Sequence, residues 1–272
     1  MRYEYVPPSD DSRLDHMGTY KRTVPVSLQR MYENALDWEH LPFLHASSFT
    51  HLNCEDSGAW GWRASVVSAN GQASLLELRL DRSCRRWITR NLEGPNQGAE
   101  IWTHVFERAE RELDLVIDFF VPGVAPEARV KVGRAYAAAY EVLYDEDVWM
   151  MTERQRILDQ RLDSVRDTHM TEIPAPDPQA LPCKIEVGGR AFMLNKLADD
   201  WVVYPAVCPH QLGPLTGDLD TDGGVTCPWH GYRFDVRTGE CTTGSHCRFG
   251  EVPVIEVDAG APERLRLSLS RP

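Results

Sequence analysis

The sequence predicts an α+β protein in two parts: a curved antiparallel sheet wrapped around a helix, followed by a small all-β domain. Three observations carry this. Four prolines fall within the ten residues 173–182, which cannot continue a helix or a central strand and read as an extended linker. Just before them Val148, Met151, Gln155, Leu158, Leu162 and Val165 step by three and four, the stripe of an amphipathic helix. After them, short strand-like pieces alternate with turns rich in Gly and Asp. The division is therefore 1–172, a linker over 173–182, and 183–272.

In the first part a helix is expected near residues 27–38. Trp60–Ser68, Ala73–Leu80, Glu112–Val121 and Tyr136–Tyr144 are rich in β-branched, Leu and aromatic residues and read as strands. Asn70-Gly71 and Pro122-Gly123 punctuate them as turns. The long helix is expected to open at Asp145-Glu146-Asp147, where carboxylates suit the positive end of the dipole. In the second part the strands are Cys183–Val187, Ala191–Lys196, Trp201–Pro205, Val252–Val257 and Arg264–Leu269.

Composition bounds the function. The chain has 272 residues, enough for one large or two ordinary domains, with 42% hydrophobic and 26% charged residues. With 41 acids against 29 bases the formal charge is −12, which argues against a nucleic-acid partner. No apolar run approaches the length of a membrane span, and Met1–Pro8 has no apolar core of a signal peptide, so a cytoplasmic protein is expected. Seven cysteines is an odd number and does not suggest a disulfide scaffold.

Four residues stand out in the second part: Cys208, His210, Cys227 and His230, arranged as Cys-Pro-His and Cys-Pro-Trp-His. By residue type they suit either a tetrahedral zinc site or a [2Fe–2S] cluster with two thiolates on one iron and two imidazoles on the other. Their surroundings, Cys208-Pro-His-Gln-Leu-Gly213-Pro-Leu215 and Cys227-Pro-Trp-His230-Gly231-Tyr-Arg-Phe-Asp235, with Thr238-Gly239 beyond, resemble the two cluster-binding loops of Rieske proteins. Gly213 and Gly231 let loop backbone approach the inorganic sulfurs. Respiratory Rieske proteins carry an extra, bridging cysteine in each loop; Leu212 or Gly213 and Trp229 stand there in this sequence. Tyr232-Arg233-Phe234 replaces the hydroxyl donors of the respiratory type, so a potential in the low part of the Rieske range is expected. Cys54, Cys84, Cys183, Cys241 and Cys247 are read as buried thiols without a function.

The first part contains Asn34-x2-Asp37-x2-His40-x4-His45. Two helical residues five apart point about 140° from each other, so the histidines converge only if the helix breaks, for which Pro42 supplies a reason. This string resembles the iron-binding motif of Rieske non-heme iron oxygenases, the ring-hydroxylating oxygenase family. The resemblance implies a START-like helix-grip catalytic domain with a mononuclear Fe(II) on His40 and His45. It implies Asp37 as the carboxylate linking a cluster histidine to an iron histidine, and Asn34 beside the metal. The third ligand is expected at Asp147, with Asp145 and Glu146 as alternatives and His51 and Asp56 as remoter ones. The family normally places its Rieske domain first; here the order is reversed. Family members are typically trimers whose electrons cross between subunits, so a homo-oligomer is implied, with an intrachain route as the alternative.

The activity implied is that of a terminal oxygenase: hydroxylation, dihydroxylation or oxidative demethylation of a small apolar or aromatic substrate with O₂. No dinucleotide fingerprint is evident, so a separate NAD(P)H-dependent reductase or ferredoxin is expected. A different class, a Rieske electron-transfer protein fused to a non-catalytic ligand-binding domain, stands as the alternative. Trp60, Trp62, Trp87, Trp102, Phe106, Phe119 and Phe120 are candidates for an apolar pocket or for plain core. Arg82, Arg85 and Arg86 read as a solvated face rather than a ferredoxin-docking patch, and His16, His104, His169 and His246 as residues without a role.

Overall fold

The structure, a computed structural model, describes residues 15–163, 169–243, 246–257 and 263–269. The N-terminal segment Met1–Asp11, the side chain of Leu162 and all of Val165 lie outside the described residues. Contacts divide the chain between Thr152 and Glu153 into two units.

The first unit is a seven-stranded antiparallel sheet. Its strands are β1 (His16–Val24), β2 (Phe49–Gly58), β3 (Gly61–Ser68), β4 (Ala73–Asp81), β5 (Arg86–Glu93), β6 (Glu100–Ala109) and β7 (Glu112–Phe120), in the spatial order β1-β7-β6-β5-β4-β3-β2. A meander of six strands thus ends beside the N-terminal strand, with Thr19 opposite Asp118 and Val24 opposite Leu113. Two short helices, α1 (Leu28–Leu36) and α2 (Leu41–Leu44), connect β1 to β2. The third, α3 (Arg129–Asp163), is 35 residues long. It packs on the inner face of the sheet, where Tyr144 and Met151 join Trp62, Trp87, Ile117 and Phe119 in one core. This is the expected helix-grip arrangement.

Two expectations need correction. Tyr136–Tyr144 is not a strand but part of the N-terminal half of α3. Its run Tyr-Ala-Ala-Ala-Tyr contains the best helix former three times over. Tyr136 and Tyr140, one helical turn apart, both pack on Phe119 with ring centroids at 5.3 Å, the first tilted and the second edge-on. Consequently Asp145, Glu146 and Asp147 sit in the middle of the helix rather than at its positive end.

The second unit is built of small antiparallel sheets. One has the order β11-β10-β9, formed by β9 (Cys183–Val187), β10 (Arg190–Leu197) and β11 (Asp200–Pro205). A second pairs β12 (Gly224–Thr226) with β13 (Arg233–Asp235). A third has the order β14-β15-β8, from β8 (Met170–Pro174), β14 (Val254–Val257) and β15 (Arg264–Ser268). Phe192, Leu194, Val203, Leu265 and Leu267 form its core. The proline-rich stretch is partly ordered: Ile173 pairs with Leu265 in the edge strand β8, and Pro178–Ala180 make a 3-10 turn. The contact boundary therefore falls earlier than the prolines. Among the described residues no helix is long and apolar enough to cross a membrane.

The seat of α3 on the sheet is set by Gly133, which lies against the β1 backbone beside Gly18. A Cβ on Gly133 would lie 2.2 Å from the Met17 carbonyl oxygen, and a Cβ on Gly18 would touch the Gly133 Cα at 3.8 Å. Here helix and strand backbones meet directly. Alanine is the better helix former by about 1 kcal/mol, yet forcing a methyl into packed backbone costs about 1–3 kcal/mol. Gly133→Ala is thus expected to lower the urea midpoint of the first unit; a raised midpoint would show that the contact yields without cost.

Candidate metal centres

The first centre lies in the first unit, where α1, α2 and α3 meet. Ser27 caps α1, its Oγ accepting from Arg30 N at 3.3 Å. The helix stops at Asp37, whose backbone leaves the helical region at φ −86° and ψ 86°. The chain then makes one separate turn, α2, with His40 as its N-cap and His45 as its C-cap. A break is present, but it does not separate the two histidines, and Pro42 does not cause it. The break lies earlier, around residues 37–40, and Pro42 sits in the first turn of α2, where its missing N–H costs nothing. Because both histidines flank the turn, their rings come to 5.0 Å between centroids at 71°.

Asp147 reaches the same point from α3. Its Oδ1 is 3.1 Å from His45 Nε2 and 3.5 Å from His40 Nε2, and it accepts a hydrogen bond from Asn34 Nδ2 at 2.7 Å. The ligand-type atoms of His40, His45 and Asp147 all lie within 4.8 Å of one another, and all three residues are buried. The outer nitrogens differ. His45 Nδ1 is 2.6 Å from Glu146 Oε2, whereas Asp37 Oδ2 stands 3.8 Å from His40 Nδ1, beyond hydrogen-bond range.

Burial works against a charged His45 ring, but hydrogen bonds and charge from Asp147, then from Glu146, outweigh it and raise its pKa. Burial likewise pushes the Asp147 carboxyl up, and contact with His45, the charge of His40 and the Asn34 amide together hold it below its usual value. The pocket thus keeps its carboxylate ionised and favours positive charge beside it. That is the chemistry of a cation site with two imidazoles and one carboxylate.

Above the group lies a cavity of about 120 Å³. Trp62, Leu76, Leu78 and Trp87 of the sheet line it, with Tyr140 and Tyr144 of α3. Of the aromatic candidates, Trp62 and Trp87 face this space, while Phe119 is core. The alternatives for the third ligand separate clearly. Asp145 is largely exposed and pairs with Arg22 at 2.6 Å, Glu146 holds the far side of His45, and His51 and Asp56 are exposed on β2. The work of Glu146 was not read from the sequence, nor were Tyr140 and Tyr144. Their four-residue spacing was the available signal. Arg85 pairs with Glu107, Arg86 with Asp81, and Arg82 lies over the Tyr32 ring, so the arginine cluster is locally engaged.

The second centre lies in the second unit. Cys208 and Cys227 are both buried, and their sulfurs are in hydrogen-bond contact: Cys227 is pushed down to about 5, chiefly by the Cys208 thiol, while Cys208 is raised by the same contact. The His210 and His230 rings lie 4.7 Å apart, edge to face. Thiol therefore meets thiol and imidazole meets imidazole. The two loops fold alike. Leu212 N donates to Cys208 O and Cys208 N to Gly213 O; in the same places Gly231 N donates to Cys227 O and Cys227 N to Tyr232 O. The fifth residue of each turn is left-handed, Leu212 at φ 68° and Gly231 at φ 67°.

Leucine thus occupies the position that glycine fills in the twin loop. Gly213 is needed for room instead. A Cβ there would lie 2.6 Å from Cys227 Sγ and 2.9 Å from the buried Trp229 ring. Paired sulfurs, paired rings and a cradle that admits no side chain fit a [2Fe–2S] cluster held by Cys208, Cys227, His210 and His230.

Comparison with known proteins bears on this centre. Residues 165–253 match the family described as Rieske [2Fe-2S] domain. The second unit carries a Rieske domain. Pheophorbide a oxygenase of Arabidopsis thaliana is 35% identical over 69 residues, 24% of this chain and 12% of that protein. The Oryza sativa subsp. japonica protein of the same name is 26% identical over 138 residues, 50% of this chain and 22% of the relative. The chain thus spans under a quarter of the length of these relatives. A solved structure from Thermus thermophilus shares 20% identity, covering 49% of this chain and 95% of its own, with a TM-score of 0.41. The Rieske domain implies a cluster and electron transfer.

Gly213→Ala is expected to abolish most of the cluster's visible absorption per chain. Full absorption in that variant would mean that Cys227 and Trp229 can move aside.

Proposed function

We propose that this chain is the terminal component of a Rieske-type oxygenase, with its catalytic unit first and its Rieske domain last. The observation that carries the reading is the convergence of His40, His45 and Asp147 beneath an apolar cavity, in a chain that also holds a Rieske domain. Bound at these sites, the cluster supplies single electrons and a mononuclear Fe(II) supplies O₂ activation.

The protein's own residues would then act as follows. His40 and His45 present Nε2 and Asp147 presents Oδ1 to one point, leaving the cavity side open. Glu146 accepts from His45 Nδ1, which fixes the tautomer and turns Nε2 inward. Asn34 Nδ2 anchors the Asp147 oxygen. Asp37, whose Oδ2 stands 3.8 Å from His40 Nδ1, would carry the electron link that the family resemblance assigns it. Trp62, Trp87, Leu76 and Leu78 exclude water and bind the substrate through apolar contact.

The cavity suits a small apolar or aromatic group, since an engineered apolar cavity of about 150 Å³ accepts benzene. The relatives' name specifies pheophorbide a, but they match only part of the chain, so that substrate is not carried over. A separate NAD(P)H-dependent reductase or ferredoxin would supply the electrons.

The deciding measurement is iron and acid-labile sulfide per chain after anaerobic reconstitution. About three irons to two sulfides are expected, falling to about two and two in His40→Ala and in Asp147→Ala. About two irons to two sulfides in the unaltered protein would replace this reading with that of an electron carrier joined to a binding unit. Glu146→Ala is expected to weaken Fe(II) binding about 10–100-fold in a metal titration, with the cluster retained. Unchanged affinity would remove Glu146 from the site.

A further inference from the structure

Outside the cluster pair, two further cysteines of the Rieske domain face each other. Glu240 and Arg248 form an antiparallel bridge. On one side of it Phe249 N donates to Gly239 O at 2.8 Å; on the other Cys241 N donates to Cys247 O at 3.3 Å. Cys241 is therefore across the ladder from Cys247, joined to it by one backbone hydrogen bond. Opposed residues of an antiparallel ladder put their side chains on the same face, with Cα atoms about 4.5–5.5 Å apart. A disulfide needs Cα atoms about 4.4–6.8 Å apart. Neither cysteine is in a disulfide and both are partly exposed, so they are not the buried cysteines that the sequence suggested. Cys241 also bridges Phe234, and Thr242 N donates to Arg233 O at 2.7 Å. The pair is thus hydrogen-bonded to β13, the strand that leaves the second cluster loop.

We propose that Cys241 and Cys247 form a reversible dithiol–disulfide site that exchanges with small disulfides of the glutathione class. One cysteine thiolate attacks oxidised glutathione, forming a mixed disulfide and releasing one glutathione thiolate. The second cysteine then attacks the protein-side sulfur, closing the Cys241–Cys247 bond and releasing the second. Two protein thiols lose two electrons, the glutathione disulfide gains them, and the two protons pass to the released thiolates. The short ladder supplies the resolving thiol in place, so the mixed disulfide is transient. This site is independent of whether the first unit binds iron.

The test uses the full, cluster-loaded chain without O₂, held in excess oxidised glutathione until the exposed Cys84 carries a glutathione. Samples are acid-quenched, alkylated and digested with trypsin, which leaves both cysteines in the single peptide Thr238–Arg248. Expected is that peptide with neither alkyl group nor glutathione and two hydrogens lighter, regaining two alkyl groups if dithiothreitol precedes alkylation. In Cys241→Ser, checked for its cluster absorption, Cys247 should hold one stable glutathione; in Cys247→Ser, Cys241 should. Two alkyl groups on the unaltered peptide, or a glutathione that persists there, would overturn the proposal.

Discussion

A carboxylate buried beneath an apolar cavity organises the first unit. Asp147 cannot stay charged away from water without partners, and a charge left unpaired there would cost several kcal/mol. Its oxygen is met by Asn34 from α1, His40 from the chain break and His45 from the end of α2. Three separate pieces of chain therefore have to arrive at one point on α3. The one-turn α2 and its odd capping by two histidines make sense in that light: with one histidine at each end of the turn, both rings reach the same carboxylate oxygen. The outer carboxylate Glu146, next in sequence to Asp147 on α3, then fixes the orientation of His45, so α3 grips this ring from both nitrogens.

The second unit meets a related demand with different means. Two buried sulfurs must be brought together without a side chain between them. The chain uses one turn twice, with the same backbone hydrogen bonds, and leaves Gly213 bare against Cys227. Each centre draws all its residues from its own unit, 34–147 for one and 208–230 for the other. The order of the two units along the chain therefore does not bear on which residues meet at either point.

Much of this was legible in the sequence because short motifs fix local geometry. Cys208, His210, Cys227 and His230 lie in two stretches whose flanking Gly and Pro residues restrict the turn, and His40 and His45 stand at the two ends of a single helical turn. Strands were harder. β1 reads His-Met-Gly-Thr-Tyr-Lys-Arg-Thr-Val and β2 carries mostly polar residues, because much of each is exposed to solvent. Such segments lack the apolar run that identifies a strand. The aromatic stretch Tyr136–Tyr144 misled for the opposite reason. Tyrosine favours strands in general, but here the rings lie one helical turn apart and pack on Phe119, and the alanines between them settle the backbone. The charge run at Asp145–Asp147 looked like a helix start because nothing local reveals that one of its carboxylates is buried.

The meeting of Gly18 and Gly133 has a bearing on descent as well as on packing. The obstacle to a side chain at Gly133 is the Met17 carbonyl, part of the main chain. No compensating change in a neighbouring residue can remove a main-chain atom. A lineage that enlarged this position would have to shift α3 along the sheet, and with it Asp147, fourteen residues or about 21 Å farther along the same helix. In relatives built on this frame, glycine here and the carboxylate nearly four turns later should be inherited together. That spacing is a marker by which distant kin of the first unit can be sought where overall identity has faded.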